Sequence, residues 1–416
     1  MPNILVIGFD TRNIACSAKR AGYTVCSIDA FMDQDLQECV HAFAPLGCRT
    51  PEELHRLEPA RIKEKMETFG LEFDAVVLGS GLEMFDSSCF SCPVLASNPK
   101  AVQEASNKAK LEKKLADLEL PHPACYSTEE LEAIEYPVML KPALGGGGVF
   151  NRVAENRREL IAILEKFSKL NPEFRKEDLV IQEFVKGISA SVSVMATEEQ
   201  ARSIAVNEQL IGVSWLSNLP FAYCGNITPF KVGYEKEHEK GYKKGHEKTY
   251  EEIMETIAEE LVLEFGLLGS NGVDFLATDK GPVVLEINPR FQGSLDTVEM
   301  ATGMNLFEAH AGCFRGELPE KKSPKCFAAR GVLYSDRELF IDQALMDIIL
   351  RERSADVPCT GTIVEPEGPL TSLFACASTR KEALLGLERG VDRIKFFLNQ
   401  TVKKLSLISG FGSEKR

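Results

Sequence analysis

Three polar residues of different chemistry alternate within the segment VVLEINPRFQGS, residues 283–294. Glu286, Asn288 and Arg290 supply a carboxylate, an amide and a guanidinium group at every second position. Because successive side chains of a β-strand point to opposite faces, we expect all three side chains on one face. An acid, an amide and a base placed in this way can bind a cation and stabilise a developing negative charge.

The segment is predicted to form the second strand of a β-hairpin. The apolar run GVDFLA precedes it, and the residues TDKGP lie between the two. We expect a three-residue loop of Asp279, Lys280 and Gly281, with Gly281 at positive φ. In this register Asp274 lies opposite Glu286 on one face. The apolar residues then lie on the other, buried face, which consists of Val273, Phe275, Val283, Leu285 and Ile287.

The facing carboxylates of Asp274 and Glu286 repel each other unless a positive group lies between them. Together with the amide oxygen of Asn288, and without histidine or cysteine, they form a ligand set typical of Mg²⁺, for which Mn²⁺ can substitute. The alternative is a purely structural salt bridge from Arg290 to the two acids.

A glycine run follows another predicted strand in VMLKPALGGGG, residues 138–148. Its four glycines are Gly145, Gly146, Gly147 and Gly148. Because glycine has no side chain, their backbone amides can close over phosphate oxygens. Alone, such a run is more often a flexible link. Lys141, four residues before the glycines, and the acid pair further along the chain favour a nucleotide site. The Walker A pattern is absent, so a P-loop enzyme is excluded.

Length and composition limit the classes of protein. A chain of 416 residues is expected to form two to three domains. A net charge of −14 argues against nucleic acid or an anionic membrane surface as a partner. No apolar run approaches the ~18 residues of a membrane span. The twelve scattered cysteines, with one CxxC pattern at Cys89 and Cys92, indicate reduced thiols in a cytoplasmic protein.

The order of predicted elements indicates an α/β protein in three parts. We place a Rossmann-like domain at residues 1–98, a two-lobed nucleotide-binding domain of α+β lobes at 99–325 and a small C-terminal α/β domain at 326–416. After the first strand, GFDTRN lacks the GxGxxG pattern of dinucleotide-binding proteins. It is either an anion site that involves Asp10 and Arg12 or a plain turn. Residues 231–249 are expected to form a mobile charged loop.

As a set, the motifs resemble those of the ATP-grasp superfamily. The set consists of Lys108 in SNKAKL, Lys141, the glycine run, IQEFVKG, Asp274 and EINPR. The chain also resembles, more closely, the archaeal group of predicted ATP-dependent carboligases related to biotin carboxylase. The resemblance extends over nearly the whole chain, from VIGFDTRNIACSAKRAGY to EGPLTSLFACASTRKEAL.

The resemblance implies a role for each motif. Lys108 and Lys141 would contact the phosphates of ATP, unless Lys108 is a solvated helix lysine and Lys141 an edge charge. The adenine would lie at the segment Gln182, Glu183, Phe184 and Val185. One or two Mg²⁺ ions would bind Asp274, Glu286 and Asn288, and Arg290 together with Asn288 would act on the transferred phosphoryl group. Substrate contacts are assigned to Arg12, Gly293 and Ser294. Many relatives hold the ribose with a glutamate where this chain has KGISAS, so ribose contacts are left unassigned.

The implied activity is an ATP-dependent carboxylate–amine or carboxylate–thiol ligase. It would form an acyl phosphate, release ADP and act on a small-molecule carboxylate and a nucleophile. Two alternatives stay open, which are a biotin-carboxylase-like enzyme that activates bicarbonate and a non-catalytic ATP-binding regulator. A homodimer is also left open.

Overall fold

A computed structural model of the chain describes residues 1–48, 53–54, 57–126, 134–145, 147–148, 150–170, 179–231 and 248–410. Most of the predicted charged loop at 231–249 lies outside the described residues, and so does Gly146. Within the described ranges no helix combines the length and the apolar character that a membrane span requires.

The N-terminal part is a parallel sheet with helices. Its elements are β1 (Asn3–Gly8), α1 (Arg12–Arg20), β2 (Thr24–Asp29), α2 (Gln34–Cys39), β3 (Ala42–Pro45), α3 (Pro59–Thr68) and β4 (Ala75–Leu78). The strand order is β3-β2-β1-β4, and every pair is parallel. The central strands β1 and β2 are almost entirely buried because both faces of the sheet are covered. Sheets of this kind bind ligands outside the carboxyl ends of their strands, at the point between β1 and β4 where the strand order reverses.

A small antiparallel sheet follows. One of the two lysines predicted to bind phosphate, Lys141, lies on this sheet, and the other, Lys108, begins a helix of the same segment. Its elements are α4 (Pro99–Ser106), α5 (Lys108–Asp117), β5 (Cys125–Tyr126), β6 (Val138–Pro142), β7 (Arg152–Ala154), α6 (Arg157–Leu170) and β8 (Leu179–Glu183). The strand order is β5-β8-β6-β7. The core of this sheet includes Val138, Leu140 and Ile181. Lys141 lies near the end of β6.

The second, larger sheet carries the predicted acid pair. Its first elements are β9 (Ile188–Ala196), β10 (Ala201–Ile211), β11 (Tyr223–Thr228), α7 (Tyr250–Glu264), β12 (Gly269–Thr278), β13 (Gly281–Asn288), α8 (Leu295–Thr302) and α9 (Leu306–Cys313). Helix α7 buries Met254, Leu261 and neighbouring apolar residues against Val192 and Phe275 of the sheet. This packing buries the apolar face of β12. The opposite face of the strand carries the polar side chain of Asp274.

The C-terminal part extends the same sheet. Its elements are β14 (Phe327–Tyr334), β15 (Leu339–Phe340), α10 (Gln343–Arg351), β16 (Ser354–Ala355), β17 (Ile363–Val364), β18 (Pro369–Ala377) and α11 (Arg380–Gly410). The eight strands run in the order β13-β12-β9-β10-β11-β14-β18-β16. Because β14 pairs directly with β11, the segment after residue 325 shares a sheet with the preceding part. The three predicted domain ranges stay predictions.

Two disulfide bonds differ from the expectation of wholly reduced thiols. Cys16 is bonded to Cys39, and Cys326 is bonded to Cys376. Each pair joins elements that are distant in sequence, so neither pairing shows in the spacing of the cysteines. Cys89 and Cys92 of the CxxC pattern are free and partly exposed.

Candidate active site

The β12–β13 hairpin places Asp274 directly opposite Glu286, as the sequence predicted. The predicted loop was wrong, because Thr278 pairs with Gly281 and only two residues form the turn. A β-bulge at Leu285 compensates, since Phe275 pairs with Val284 and the next pair is Asp274 with Glu286. The extra residue restores the pairing of the two acids. The expected positive φ of Gly281 is confirmed, at 128°.

The bulge also changes which residues of β13 are buried. Val284 and Ile287 join the core, whereas Val283 and Leu285 are partly exposed. The sequence-based assignment of Val283 and Leu285 to the buried face was therefore wrong. The strict alternation on which it rested fails wherever one strand carries an extra residue.

The two carboxylates have opposite electrostatic environments. Burial and the charge of Glu286 raise the pKa of Asp274 well above its usual range. For Glu286 burial acts in the same direction, but the ammonium groups of Lys108 and Lys141 outweigh it and lower the pKa to about 2. The two acids lie within hydrogen-bonding reach of each other, and a positive charge between them would relieve their repulsion.

The donor set fits a hard divalent cation. Asp274, Glu286 and the amide of Asn288 offer oxygen, the ligand that Mg²⁺ prefers. Within the described ranges no cluster of three or more histidine, cysteine, aspartate or glutamate side chains is arranged for metal binding. A site of only two acids suits Mg²⁺, which keeps several waters and takes further ligands from substrate phosphates.

Asn288 and Arg290 lie beside the acid pair. Asn288 Nδ2 donates to Asp274 Oδ2 at 3.1 Å, and Arg290 Nη2 donates to Asn288 Oδ1 at 3.3 Å. The amide oxygen therefore faces Arg290, and the amide must turn over before it can ligate a cation beside Asp274. Arg290 follows the end of β13 and forms an ion pair with Glu83, rather than with Asp274 or Glu286.

The two lysines predicted to contact phosphate are both buried close to Glu286. Lys108, the first residue of α5, and Lys141 on β6 are each 7% exposed. Lys108 Nζ lies 3.2 Å from Glu286 Oε2. Burial and the charge of Lys108 lower the pKa of Lys141 to about 8, against the attraction of Glu286. Lys108 is thus not a solvated helix lysine.

The glycine run contacts both a lysine and a neighbouring segment. Lys108 Nζ donates to the carbonyl of Gly145 at 2.8 Å. Gly145, Gly147 and Gly148 all have positive φ. A Cβ at Gly148 would lie 2.0 Å from the carbonyl oxygen of Phe221. Only glycine therefore permits this close approach. We call residues 145–148 the glycine loop.

The predicted adenine segment lies at the end of β8. Gln182 is buried, and its Nε2 lies 3.1 Å from Cys125 Sγ. The amide of Glu183 donates to the carbonyl of Ala124, and the amide of Phe184 donates to the carbonyl of Pro137. Val185 follows and is partly exposed. Adenine contacts by this segment stay a prediction.

The three residues predicted to contact substrate form internal bonds. Arg12 is 4% exposed, and its guanidinium group donates to both carboxylate oxygens of Asp296, at 3.0 and 2.8 Å. The carbonyl of Gly293 accepts from Arg330 Nη1 at 2.9 Å. Ser294 is buried, and its hydroxyl group lies 3.2 Å from that of Ser193. Their substrate roles stay predictions.

Three residues of the site were not anticipated. Gln209 Nε2 donates to Asp274 Oδ1 at 3.0 Å, Glu83 pairs with Arg290, and Arg330 contacts the Gly293 turn. The sequence does contain a signal for Arg330, which lies inside the apolar run AARGVLYS of β14. A charge in a buried strand requires a partner. Nothing in the local sequence distinguishes Gln209 or Glu83 from ordinary strand and loop residues.

Comparisons with known proteins agree with this fold. Residues 105–294 match the ATP-grasp domain. The uncharacterized protein MJ0776 of Methanocaldococcus jannaschii is 26% identical over 384 residues, which are 89% of this chain and 87% of that protein. The biotin carboxylase domain of 2-oxoglutarate carboxylase from Hydrogenobacter thermophilus, in complex with MgADP and bicarbonate, has a TM-score of 0.67 at 17% identity and covers 91% of this chain and 87% of its own.

A second solved structure with a similar fold is the L-amino acid ligase of Bacillus licheniformis. Its TM-score is 0.64 at 15% identity, and the match covers 94% of this chain and 97% of the ligase. Residues 105–294 therefore correspond to an ATP-grasp domain, and the predicted ATP-grasp fold is confirmed.

Proposed function

We propose that the protein is an ATP-dependent ligase that activates a small-molecule carboxylate as an acyl phosphate and releases ADP. The observation that carries the proposal is the convergence of the acid pair with two buried lysines, in which Lys108 Nζ lies 3.2 Å from Glu286. The similarity to structures named as a biotin carboxylase domain with MgADP and as an amino acid ligase supports an enzyme that uses ATP and Mg²⁺.

In this proposal, Lys108 and Lys141 offset the charge of the ATP phosphates and the glycine loop covers them. Because Lys108 donates to Gly145, the same ammonium group links the loop to the acid pair. Mg²⁺, when bound at Asp274 and Glu286, supplies further neutralisation of phosphate charge.

The reaction has two steps. An oxygen of the carboxylate attacks the γ-phosphorus, the bond to the β-phosphate oxygen breaks, and ADP leaves. The nucleophile then attacks the acyl carbon, and the carbon–oxygen bond breaks to release phosphate. In this proposal Arg290, held by Asn288 and Glu83, stabilises negative charge on these oxygens.

The test is a screen for ADP and phosphate release with Mg²⁺-ATP and panels of carboxylates, amines and thiols. Release that requires both an organic carboxylate and a nucleophile supports the ligase. Release that depends on bicarbonate alone supports the carboxylating alternative, whereas ATP binding without release supports a regulator. Formation of AMP and pyrophosphate contradicts all three.

A further inference from the structure

A cavity of about 210 Å³ lies in the C-terminal part of the structure. It is bordered by the loop between β10 and β11, by the end of β14 with the turn after it, and by β18 and α11. None of the residues that line it has been assigned to the nucleotide, the metal ion or the substrate. The cavity is therefore separate from the candidate active site and gives a small molecule room to bind.

The volume limits the size of the ligand. One water molecule occupies ~30 Å³ in the liquid, so the cavity has the volume of about seven water molecules. Sites for drug-sized ligands measure roughly 300–1,000 Å³. The cavity therefore fits a small molecule of about six to ten non-hydrogen atoms, rather than a nucleotide or a peptide.

Part of the cavity wall is apolar. Its buried members are Leu216, Leu333 and Leu370, each with at most 2% of its surface exposed. They belong to the core between the sheet and helices α10 and α11. Leu398 of α11 adds a partly exposed apolar side chain. Because an apolar wall is hydrated poorly, it favours a ligand that carries an apolar group.

Three charged residues also line the cavity, and positive charge exceeds negative charge. They are Asp336, Arg337 and Lys395. Asp336 Oδ1 lies 3.5 Å from Arg337 Nε, and the side chain of Asp336 is 63% exposed. In the part of the chain that the structure describes, Lys395 has neither a hydrogen bond nor an ion pair. The excess of one positive charge favours a ligand with a single negative charge.

The guanidinium group of Arg337 offers donors to such a ligand. The hydroxyl group of Ser335 donates to the carbonyl of Arg337 and accepts its amide at 3.3 Å, which fixes the backbone at this residue. Arg337 Nε is buried and has no hydrogen-bond partner among the described residues. A buried donor without a partner is costly, and the fork of an arginine binds a carboxylate through two parallel hydrogen bonds.

We propose that this cavity is a binding site for a small organic monocarboxylate. Its carboxylate binds to Arg337 and Lys395, and its apolar chain lies against the leucine side chains. A carboxylate fits better than a phosphate monoester, because the latter carries about −1.5 to −2 charges at neutral pH and the cavity has only one positive charge in excess. The inference does not depend on the proposed ligase activity.

A local probe for this site is present in the chain. Trp215 is its only tryptophan, and it lies between Ser214 and Leu216, which both line the cavity. The carbonyl of Leu216 accepts the amide of Tyr334 at 2.8 Å, so this loop is fixed to the end of β14. The fluorescence of Trp215 should therefore report on occupancy of the cavity.

The test titrates the full chain with sodium hexanoate, without nucleotide, and follows both the fluorescence of Trp215 and the heat of binding. Nucleotide is left out because Phe221 and Tyr223, near the end of the same loop, contact the glycine loop. We expect saturable binding. Acetate should bind at least about tenfold more weakly, since it lacks the chain that contacts the leucines.

Two variants remove the charges that bind the carboxylate. In Arg337→Gln and in Lys395→Gln the Kd for hexanoate should rise about fivefold or more. Both variants should melt close to the wild type, because neither side chain has a hydrogen bond within the described ranges. Arg389→Gln and Lys381→Gln are the matched controls, since they remove exposed charges of α11, and they should bind hexanoate as the wild type does.

The probes also include n-hexylamine, which carries the opposite charge, and inorganic phosphate, which has no apolar part. Both should bind more weakly than hexanoate. The inference is overturned if hexanoate shows no saturable binding by either method, or if its Kd is the same for the wild type and both cavity variants. Tighter binding of n-hexylamine or of phosphate than of hexanoate overturns it as well.

Discussion

The ammonium group of Lys108 lies 3.2 Å from the Glu286 carboxylate and joins two elements that are far apart in sequence. Lys108 begins helix α5, whereas Glu286 lies on strand β13. The same ammonium group bonds the carbonyl of Gly145. One side chain thus connects the helix, the metal-binding candidate and the glycine loop, so the proposed nucleotide site depends on all three at once.

Replacing Glu286 tests the metal role. Glu286→Gln removes the charge of a candidate Mg²⁺ ligand but keeps the shape of the side chain. We expect Mg²⁺-dependent turnover to fall by about 100-fold or more, with the melting temperature close to that of the wild type. Glu320→Gln, at an exposed carboxylate, is the control and should retain activity. Full turnover of Glu286→Gln at saturating Mg²⁺ would refute the assignment.

Replacing Lys141 tests the phosphate role. A buried ammonium group beside the phosphates acts as a point charge, so Lys141→Ala should weaken ATP binding by about tenfold or more. Calorimetry with ATP and Mg²⁺ measures the change. Lys110→Ala removes an exposed lysine of α5 and should bind ATP as the wild type does. Equal affinities of Lys141→Ala and Lys110→Ala would sink the assignment.

The glycine loop allows a comparison of two adjacent positions. Gly147 and Gly148 have similar φ values, 77° and 71°, but only a Cβ at Gly148 would collide with Phe221. Both alanine variants carry backbone strain, and Gly148→Ala also displaces the loop. We expect the kcat of Gly148→Ala to fall about tenfold further than that of Gly147→Ala. Steady-state kinetics with both variants check this, and equal losses would show that the contact with Phe221 is unimportant.

The carboxyl group of Asp10 predicts a pH-dependent difference in stability. Because the pKa of Asp10 is raised to about 7, the folded state keeps a proton that the unfolded state loses above pH ~4. The stability contributed by Asp10 therefore declines as the pH rises through this window. In denaturant unfolding, Asp10→Asn should gain more than about 1 kcal/mol relative to the wild type between pH 4.5 and 7.5. A difference that does not vary with pH would contradict the shift.

The pairing of Asp274 with Glu286 could be predicted from the sequence, but its geometric basis could not. Period-two alternation and the cost of burying Asp274 require the two acids on one face. The predicted three-residue loop satisfied that requirement, whereas the structure satisfies it with a two-residue loop and a bulge at Leu285. Counting residues cannot distinguish these solutions, because the extra residue can lie in the turn or in the strand.

Contacts between distant segments were also beyond the sequence. Sequence motifs were enough to single out Lys108, Lys141 and the glycine loop as candidates, because each motif consists of residues that are close together in the sequence. The ion pair between Arg290 and Glu83 and the contact of Gly148 with Phe221 depend on how separate elements pack. The bonds of Arg12 to Asp296 and Asp356, both distant in sequence, also depend on packing, and its predicted contact with a substrate stays a prediction.

The most direct test of the proposed acyl phosphate follows the oxygen atoms of the carboxylate. A carboxylate that supports ADP release is labelled with ¹⁸O at both carboxylate oxygens and converted to the amide with ATP, Mg²⁺ and an amine. If the carboxylate attacks the γ-phosphorus, the phosphate released must carry one ¹⁸O atom from it, because the acyl carbon–oxygen bond breaks in the second step. Mass spectrometry should therefore detect one label per phosphate, and unlabelled phosphate released together with the amide would contradict the mechanism.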